Sequence, residues 1–278
     1  MSVAEAIGRR ERVRPRRRVR IGRLILPVYT WLVLAYTVIP IAVMVVYSFN
    51  QAPSHRLTFK WLGFTTDWYR QVFNISDLTT AFIHSLEIAF ASMAIALIIG
   101  TPLALALARS RFFGRTALDV TIFTDIAAPE VVVGASLLSL FLSLGFDRGL
   151  VTILIGHVSF NIAFVVIVVR ARVVGLDRSI EKAASDLGAG PWVAFSRVTL
   201  PLILPGILAA GMLAFAMSID DFIITSFVAG QTLTFPLWVY GAVKVGIPPQ
   251  VFVMGTLIFA AGIFLALVNT FVQRRSAS

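Results

Sequence analysis

The sequence has 278 residues, of which 58% are hydrophobic and only 14% are charged, and its mean hydropathy is +0.88. Soluble domains are about 45–50% apolar and about 25% charged, so no water-soluble fold of this size hides so much apolar surface. There is no cysteine, which excludes a disulfide framework and thiolate metal ligands, and the three histidines show no metal-ligand spacing. The composition therefore predicts an integral membrane protein.

The chain begins with a basic arm that supplies much of the formal net charge of +10. Nine arginines lie between Arg9 and Arg23, directly before the first long apolar stretch. This placement favours a cytoplasmic anchor on anionic lipid over a nucleic-acid-binding arm. The apolar run of residues 24–49 exceeds the roughly 7–15 residues of a signal peptide, so we expect an uncleaved first span. The chain is thus divided into a basic arm, residues 1–23, and a transmembrane domain, residues 24–273.

Six segments are long and apolar enough to cross a bilayer as helices, which takes about 20 residues each. They are residues 24–49, 81–108, 117–144, 150–171, 202–228 and 249–272. The predicted fold class is therefore all-α, a polytopic membrane protein with six transmembrane helices. Nineteen of the 24 lysines and arginines then fall on the side of the N-terminus, so the positive-inside rule places both termini in the cytoplasm. Outside, residues 229–248 are expected to form a short surface helix.

The longest cytoplasmic connection, residues 172–201, is predicted to form two short helices that meet at an elbow. Asp177 is a suitable N-cap for the first helix, and Glu181 lies in its first turns. Gly188 ends that helix, and Pro191 suits the first turn of the next one. The elbow presents a partly apolar tip, which fits either a docking surface or an ordinary amphipathic loop.

The same connection resembles the "EAA" loop of binding-protein-dependent ABC importer permeases, whose pattern is Glu-Ala-Ala-x3-Gly-x9-Ile-x-Leu-Pro. The residues in register are Ala183, Ala184, Gly188, Leu200 and Pro201, with Val198 at the isoleucine position. Lys182 stands where the pattern has glutamate, and the adjacent Glu181 points about 100° away around the helix. The resemblance implies the type I ABC importer permease fold, with this loop as the coupling helix seated in the ATP-binding subunit. The lysine is expected to alter the usual charge contact there.

No phosphate-binding loop of the form Gly-x4-Gly-Lys-Ser/Thr occurs in the sequence, so this chain does not hold ATP in the usual way. We expect no catalytic residue, no metal and no cofactor here, with ATP bound by a partner subunit. The resemblance implies a bacterial inner membrane location and a set of partners. These are a homologous permease subunit, two ATP-binding subunits and an extracytoplasmic solute-binding protein; we expect contact with membrane lipid and no nucleic acid.

Five carboxylates lie within or near the ends of the predicted spans: Glu87, Asp125, Glu130, Asp220 and Asp221. A charged side chain at the bilayer centre costs roughly 2.5–3.5 kcal/mol, so such residues usually line a water-filled route or pair with cations. The adjacent Asp220 and Asp221 are the strongest candidates for a substrate pathway. Glu130 is the next, although its position after Pro129 also suits the start of a broken helix. No basic residue nearby in sequence is an evident counter-ion, so an acidic lining favours a cationic cargo.

Around these carboxylates the sequence resembles the spermidine/putrescine permease branch, in residues 129–134, 218–230 and 233–244. The resemblance implies a permease that imports polyamines along a subunit interface, with Asp220, Asp221 and Glu130 as candidate pathway residues. Three alternatives stay open. They are a permease for another small solute, an ion-coupled secondary transporter that uses the carboxylates as a proton relay, and a membrane scaffold that recruits a cytoplasmic protein.

Overall fold

A computed structural model describes residues 22–52, 56 and 60–276 of the chain. The α-helices in this part are α1 Gly22–Tyr47, α2 Asp67–Arg70, α3 Ser76–Arg109, α4 Arg115–Ala127, α5 Glu130–Ser143, α6 Leu150–Val174, α7 Arg178–Asp186, α8 Pro191–Ala194, α9 Leu200–Ile219, α10 Ile223–Val228, α11 Phe235–Val245 and α12 Pro249–Ser276. The described residues contain no β-strand, only an isolated bridge between Asn50 and Phe64. Of the basic arm, residues 1–21 lie outside the described residues.

Four helices of the described chain are long and apolar enough to cross a membrane. They are Leu26–Tyr47, Ser76–Arg109, Leu150–Val174 and Pro191–Ile219. The pair α4 and α5 makes a fifth span only as a broken one, because the chain bends by 110° between the two helices. In α12, the shorter segment Pro249–Leu265 is apolar. The all-α, polytopic prediction is therefore confirmed, whereas the count of six is reached only when the bent pair and α12 are both included.

The span predicted for residues 117–144 is broken in its middle. Ala128 is extended (φ −70°, ψ 136°), and a new helix begins directly after Pro129. Proline explains both observations, because it disfavours a helical conformation in the residue before it and has no amide hydrogen to donate. Glu130 is then the first residue of α5, as expected if it starts a broken helix.

The span predicted for residues 202–228 differs at both ends. It begins earlier, at Pro191, because the π-helical turn Phe195–Thr199 joins α8 to α9 without interruption. It also stops at Ile219, so that Asp220 and Asp221 lie in a non-helical break before α10. The turn precedes Pro201, whose missing amide cannot continue the regular ladder of helical hydrogen bonds.

The helices α3, α6 and α9 pack together as the main core of residues 47–278. Small residues allow the close approach that helix packing in membranes requires. On α3 the fully buried alanines are Ala81, Ala89, Ala96 and Ala104. At Gly100 a Cβ atom would lie 2.7 Å from Val165 Cγ1 of α6, so a larger residue would require α6 or the Val165 side chain to shift. Residues 22–46 form a separate unit, the helix α1, whose apolar side chains are largely exposed.

The shorter helices α5 and α10 pack near this core, next to the break between α4 and α5 and the break between α9 and α10. The helix α5 packs against α10, and at Gly134 a Cβ atom would lie 2.6 Å from the ring of Phe227. The helix α10 also packs on α6. Both breaks therefore face the same side of α6. The helix α11 confirms the short helix predicted within residues 229–248.

Candidate functional site: an acidic cavity and an elbow

A cavity of about 540 Å³ lies where the two helix breaks meet. Four carboxylates line it: Asp125 and Glu130 from the α4–α5 break, Asp220 and Asp221 from the α9–α10 break. The rest of the lining is apolar and includes the aromatic rings of Phe160 and Phe164 of α6 and of Phe222. No lysine or arginine of the described chain lines this cavity. We call it the acidic cavity.

The three carboxylates predicted for a pathway, Glu130, Asp220 and Asp221, thus lie in one cavity, and Asp125 joins them. Glu87 does not. It lies on α3 beside a separate cavity of about 150 Å³, together with Leu150 and Leu154. The tertiary structure therefore separates the five membrane carboxylates into a group of four and one that stands apart.

The two adjacent aspartates have different surroundings. Asp220 is exposed, whereas only 6% of the Asp221 side chain is accessible. The Asp221 carboxylate accepts hydrogen bonds from the Thr225 amide at 2.8 Å and the Thr225 hydroxyl at 2.6 Å, and from the Ile224 amide at 3.4 Å. These amides belong to the first turn of α10, so Asp221 caps that helix as well as lining the cavity.

His157 of α6 contacts Asp221 from behind the cavity. Its Nε2 atom lies 3.2 Å from Asp221 Oδ2 and 2.9 Å from Thr225 Oγ1, and only 2% of its side chain is accessible. This partner of the aspartates is not evident from the sequence, because His157 lies on another helix, 64 residues away. The available signal was a lone histidine inside an apolar span, since such a residue normally has a polar partner.

A buried polar network continues from His157 into the helical core. Its Nδ1 atom lies 2.7 Å from Ser218 Oγ of α9, and Ser218 Oγ accepts a hydrogen bond from Ser92 of α3 at 3.0 Å. Asn161 of α6 donates to Ser92 Oγ at 3.4 Å. These contacts connect α3, α6 and α9 to the α9–α10 break, the segment that carries Asp220 and Asp221.

The second candidate site is the elbow, residues 177–192, which has the predicted form. The Asp177 carboxylate accepts a hydrogen bond from the Ser179 amide at 2.9 Å and so caps α7. This hydrogen bond lowers the pKa of Asp177 below its ordinary value. The helix α7 ends at Asp186, and the chain turns at Gly188, whose φ of +85° lies in the left-handed region that glycine adopts without steric cost. Pro191 begins α8, as expected.

Glu181 points inward from the elbow. Its Oε1 atom lies 3.1 Å from Arg109 Nη2 at the end of α3 and accepts a hydrogen bond from Thr199 in the π-helical turn at 3.1 Å. The neighbouring Lys182 and Ala183 are exposed, and Ala184 is half-buried. Glu181 lies one position before the glutamate of the EAA pattern, and it connects the elbow to α3 and to the helix of residues 191–219. Lys182, which occupies the pattern's glutamate position, lies on the surface.

The tip of the elbow is apolar, and no described part of the chain covers it. Leu187 is 89% exposed and Trp192 is 74% exposed, and exposed apolar patches commonly mark sites of interaction with other proteins. Leu200 and Pro201 begin α9, and Leu200 packs against the α3–α6–α9 core. The motif thus has an inner end that joins the core and an outer end that is free to contact another molecule.

An all-α membrane protein with a broken-helix acidic cavity and an exposed elbow is typical of a multi-pass permease. A family model described as "binding-protein-dependent transport system inner membrane component" matches residues 97–277. The chain belongs to this family. The match includes both breaks and the whole elbow.

Two relatives are similar in sequence to this chain over most of its length. It is 36% identical over 255 residues to the spermidine/putrescine transport system permease protein PotC of Escherichia coli (strain K12), covering 91% of this chain and 96% of that protein. It is 38% identical over 245 residues to the putrescine transport system permease protein PotI of the same organism, covering 85% and 86%.

Solved structures confirm the fold, which is that of type I ABC importer permeases. A chain of a bacterial ABC transporter involved in the import of the acidic polysaccharide alginate superposes with a TM-score of 0.64, at 20% identity, over 93% of this chain and 97% of that one. A chain of an amino acid ABC transporter gives a TM-score of 0.57 at 16% identity, over 76% and 99%. The fold alone does not define the cargo, because these transporters carry different solutes.

Proposed function

We propose that this permease imports polyamines and that the acidic cavity is part of their route. The observation that carries the proposal is the lining of that cavity, four carboxylates with aromatic rings and no basic side chain among the described residues. A polyamine is a string of ammonium groups separated by methylene segments. Carboxylates attract the ammonium groups, and aromatic rings contact both the methylenes and the cations. The names of the PotC and PotI relatives support the same cargo.

The proposed assembly is that of a binding-protein-dependent importer in the bacterial inner membrane. This chain would pair with a homologous permease subunit, and two ATP-binding subunits would dock on the exposed elbows. A solute-binding protein would deliver the cargo from outside, and the basic arm would lie on anionic lipid. Both termini are placed in the cytoplasm, because that orientation puts most lysines and arginines inside. ATP hydrolysis belongs to the partner subunits, and no cofactor or nucleic acid is assigned to this chain.

The coupling route follows from the continuity of one helix. Residues 191–219 run without interruption from the elbow to the α9–α10 break, so a displacement at Trp192 is carried towards Asp220. Glu181 ties the elbow to this helix through Thr199 and to α3 through Arg109. We propose that closure of the ATPase subunits moves the elbow and this helix together. The carboxylates of the break then move relative to those of the α4–α5 break.

The test is cargo-dependent ATP hydrolysis and uptake by the assembled complex in proteoliposomes. Putrescine and spermidine are compared with neutral and acidic amino acids, each delivered by its binding protein. We expect both polyamines to stimulate ATP hydrolysis and to accumulate inside. Stimulation by another solute alone would refute the polyamine cargo and leave the ATP-driven mechanism intact. Uptake that needs an ion gradient and no ATP would instead establish the ion-coupled transporter.

A further inference from the structure

A buried histidine stands directly behind the acidic cavity without lining it. The His157 ring contacts the side chains of Asp221 and Thr225, and its centroid lies 5.6 Å from that of Phe160, which lines the cavity. The ring therefore touches two parts of the cavity wall from the core side.

A polar chain passes through this ring. Ser218 Oγ accepts a hydrogen bond from Ser92 and lies 2.7 Å from His157 Nδ1. On the other side of the ring, Nε2 lies within hydrogen-bond distance of Thr225 Oγ1 and Asp221 Oδ2, and the Thr225 hydroxyl donates to the same Asp221 oxygen. His157 thus holds Asp221 in place from the core side.

We propose that His157 is a positioning residue of the cargo site, which fixes the α9–α10 break and so sets where Asp220 stands in the acidic cavity. The break is not helical, so its path depends on the side-chain contacts that Asp221 makes. Those contacts run to the start of α10 and, through His157, to α6 and α9. Asp220 directly precedes Asp221 in the chain, so its position is constrained by that of Asp221. The inference rests on the proposed function only in that the cavity must accept cations.

The first test measures the electrostatics of the cavity without any transport. The chain has no cysteine, so Ile223→Cys places a single thiol in the cavity lining. The assembled complex, built with cysteine-free partner subunits, is treated with a positively and with a negatively charged methanethiosulfonate reagent. The ratio of the two rates reports the local charge, because the reactivity of the thiol itself cancels. We expect the rate with the positive reagent, divided by the rate with the negative one, to be well above the same ratio measured with a free thiol in solution.

Two substitutions of His157 separate its two ring nitrogens. His157→Gln keeps a donor near the Nε2 position, which faces Asp221, whereas His157→Asn keeps a polar group only near Nδ1, which faces Ser218. We expect His157→Asn to lower both the rate ratio and the polyamine transported per ATP by roughly tenfold. His157→Gln should retain most of both quantities. Ser92→Ala is the matched control, since it removes a hydroxyl of the same network that contacts neither His157 nor Asp221, and it should leave both unchanged.

The outcomes are distinct. Equal, wild-type values for both His157 variants would overturn the positioning role, and so would a rate ratio that stays normal while transport is lost. An equal loss in Ser92→Ala would also overturn it, by showing that any gap in the network has the same effect. A rate ratio that falls in His157→Asn and recovers in His157→Gln supports the role even if polyamines fail to stimulate the wild-type complex. In that case only the proposed cargo is wrong.

Discussion

The acidic cavity and the elbow each contain two adjacent polar residues that the fold uses differently. In the cavity, Asp221 is bound by His157 and by the first turn of α10, while Asp220 is exposed. In the elbow, Glu181 is bound by Arg109 and Thr199, while Lys182 is exposed. One residue of each pair therefore holds the structure, and the other is available to a cargo or to a partner subunit.

The two pairs differ in burial, and this difference sets how strongly each is held. The side chains of His157 and Asp221 are almost completely buried, whereas Arg109 and Glu181 keep 19% and 30% of their side-chain surface accessible. A buried polar contact is costly to break, because the remaining partner stays unsatisfied. A partly exposed ion pair exchanges its contacts with water and contributes less. We therefore expect the α9–α10 break to keep its local geometry and the elbow to be adjustable.

The largest effect is expected from the aspartates themselves. Asp221→Asn should destabilise the permease by roughly 1–3 kcal/mol, because it removes the charge from three hydrogen bonds and from the contact with His157. Asp220→Asn should leave the melting temperature unchanged and lower the polyamine transported per ATP about tenfold. Thermal unfolding in detergent and coupled transport assays measure the two quantities. Glu87→Gln, a carboxylate outside the cavity, serves as the control and should affect neither. Equal melting temperatures for both aspartate variants would contradict the division of roles.

The next largest effect is expected from a substitution in the turn of the elbow. Gly188→Ala should destabilise the elbow by about 1–2 kcal/mol, because a side chain disfavours the left-handed conformation. Among the described residues no neighbouring atom would lie within 4 Å of a Cβ atom at this position, so the cost is conformational. Gly190 is also uncrowded but has φ −64°, which makes Gly190→Ala a matched control with little expected effect. We expect Gly188→Ala to reduce transport per ATP while cargo-independent ATPase activity remains. Identical behaviour of the two variants would show that the turn geometry is unimportant.

A smaller effect is expected at the ion pair of the elbow. Glu181→Gln should lower stability by about 1 kcal/mol or less, because the pair is partly exposed to solvent. Lys182→Gln should leave stability unchanged and alter the retention of ATP-binding subunits during purification, since its side chain faces outward. If Lys182→Gln destabilises the permease as much as Glu181→Gln does, the inward and outward roles are not separate.

The smallest effect concerns the cap of α7. Its hydrogen bond to the Ser179 amide lowers the pKa of Asp177, so the charged cap is fully present above the ordinary carboxyl pKa and is lost as the pH falls through the lowered value. Between neutral and mildly acidic pH the elbow should therefore be unaffected. Amide hydrogen exchange of α7, compared with that of Asp177→Ala at each pH, measures this contribution. The protection difference should vanish only under strongly acidic conditions, and a difference that vanishes near neutral pH would refute the assignment.

Local patterns predicted both parts of the elbow correctly. The cap of α7 at Asp177, the turn at Gly188 and the start of α8 at Pro191 depend on the backbone preferences of single residues, which can be read from the sequence alone. Hydropathy missed the end of α9 at Ile219 and placed residues 117–144 in one span, although Pro129 allowed a broken helix there, since apolar runs continue through both positions. Hydropathy averages over a window and does not register where a helix stops inside it.

The sequence by itself determined membrane residence, the permease family and the form of the elbow, because composition, charge placement and a spaced motif are local or additive properties. Only the tertiary structure decided which carboxylates meet in one cavity, that His157 holds Asp221, and that Glu181 turns inward to Arg109. These contacts join residues of different helices, and they depend on how each helix is rotated and how closely small residues let it approach its neighbours. That information is absent from any single segment of the chain.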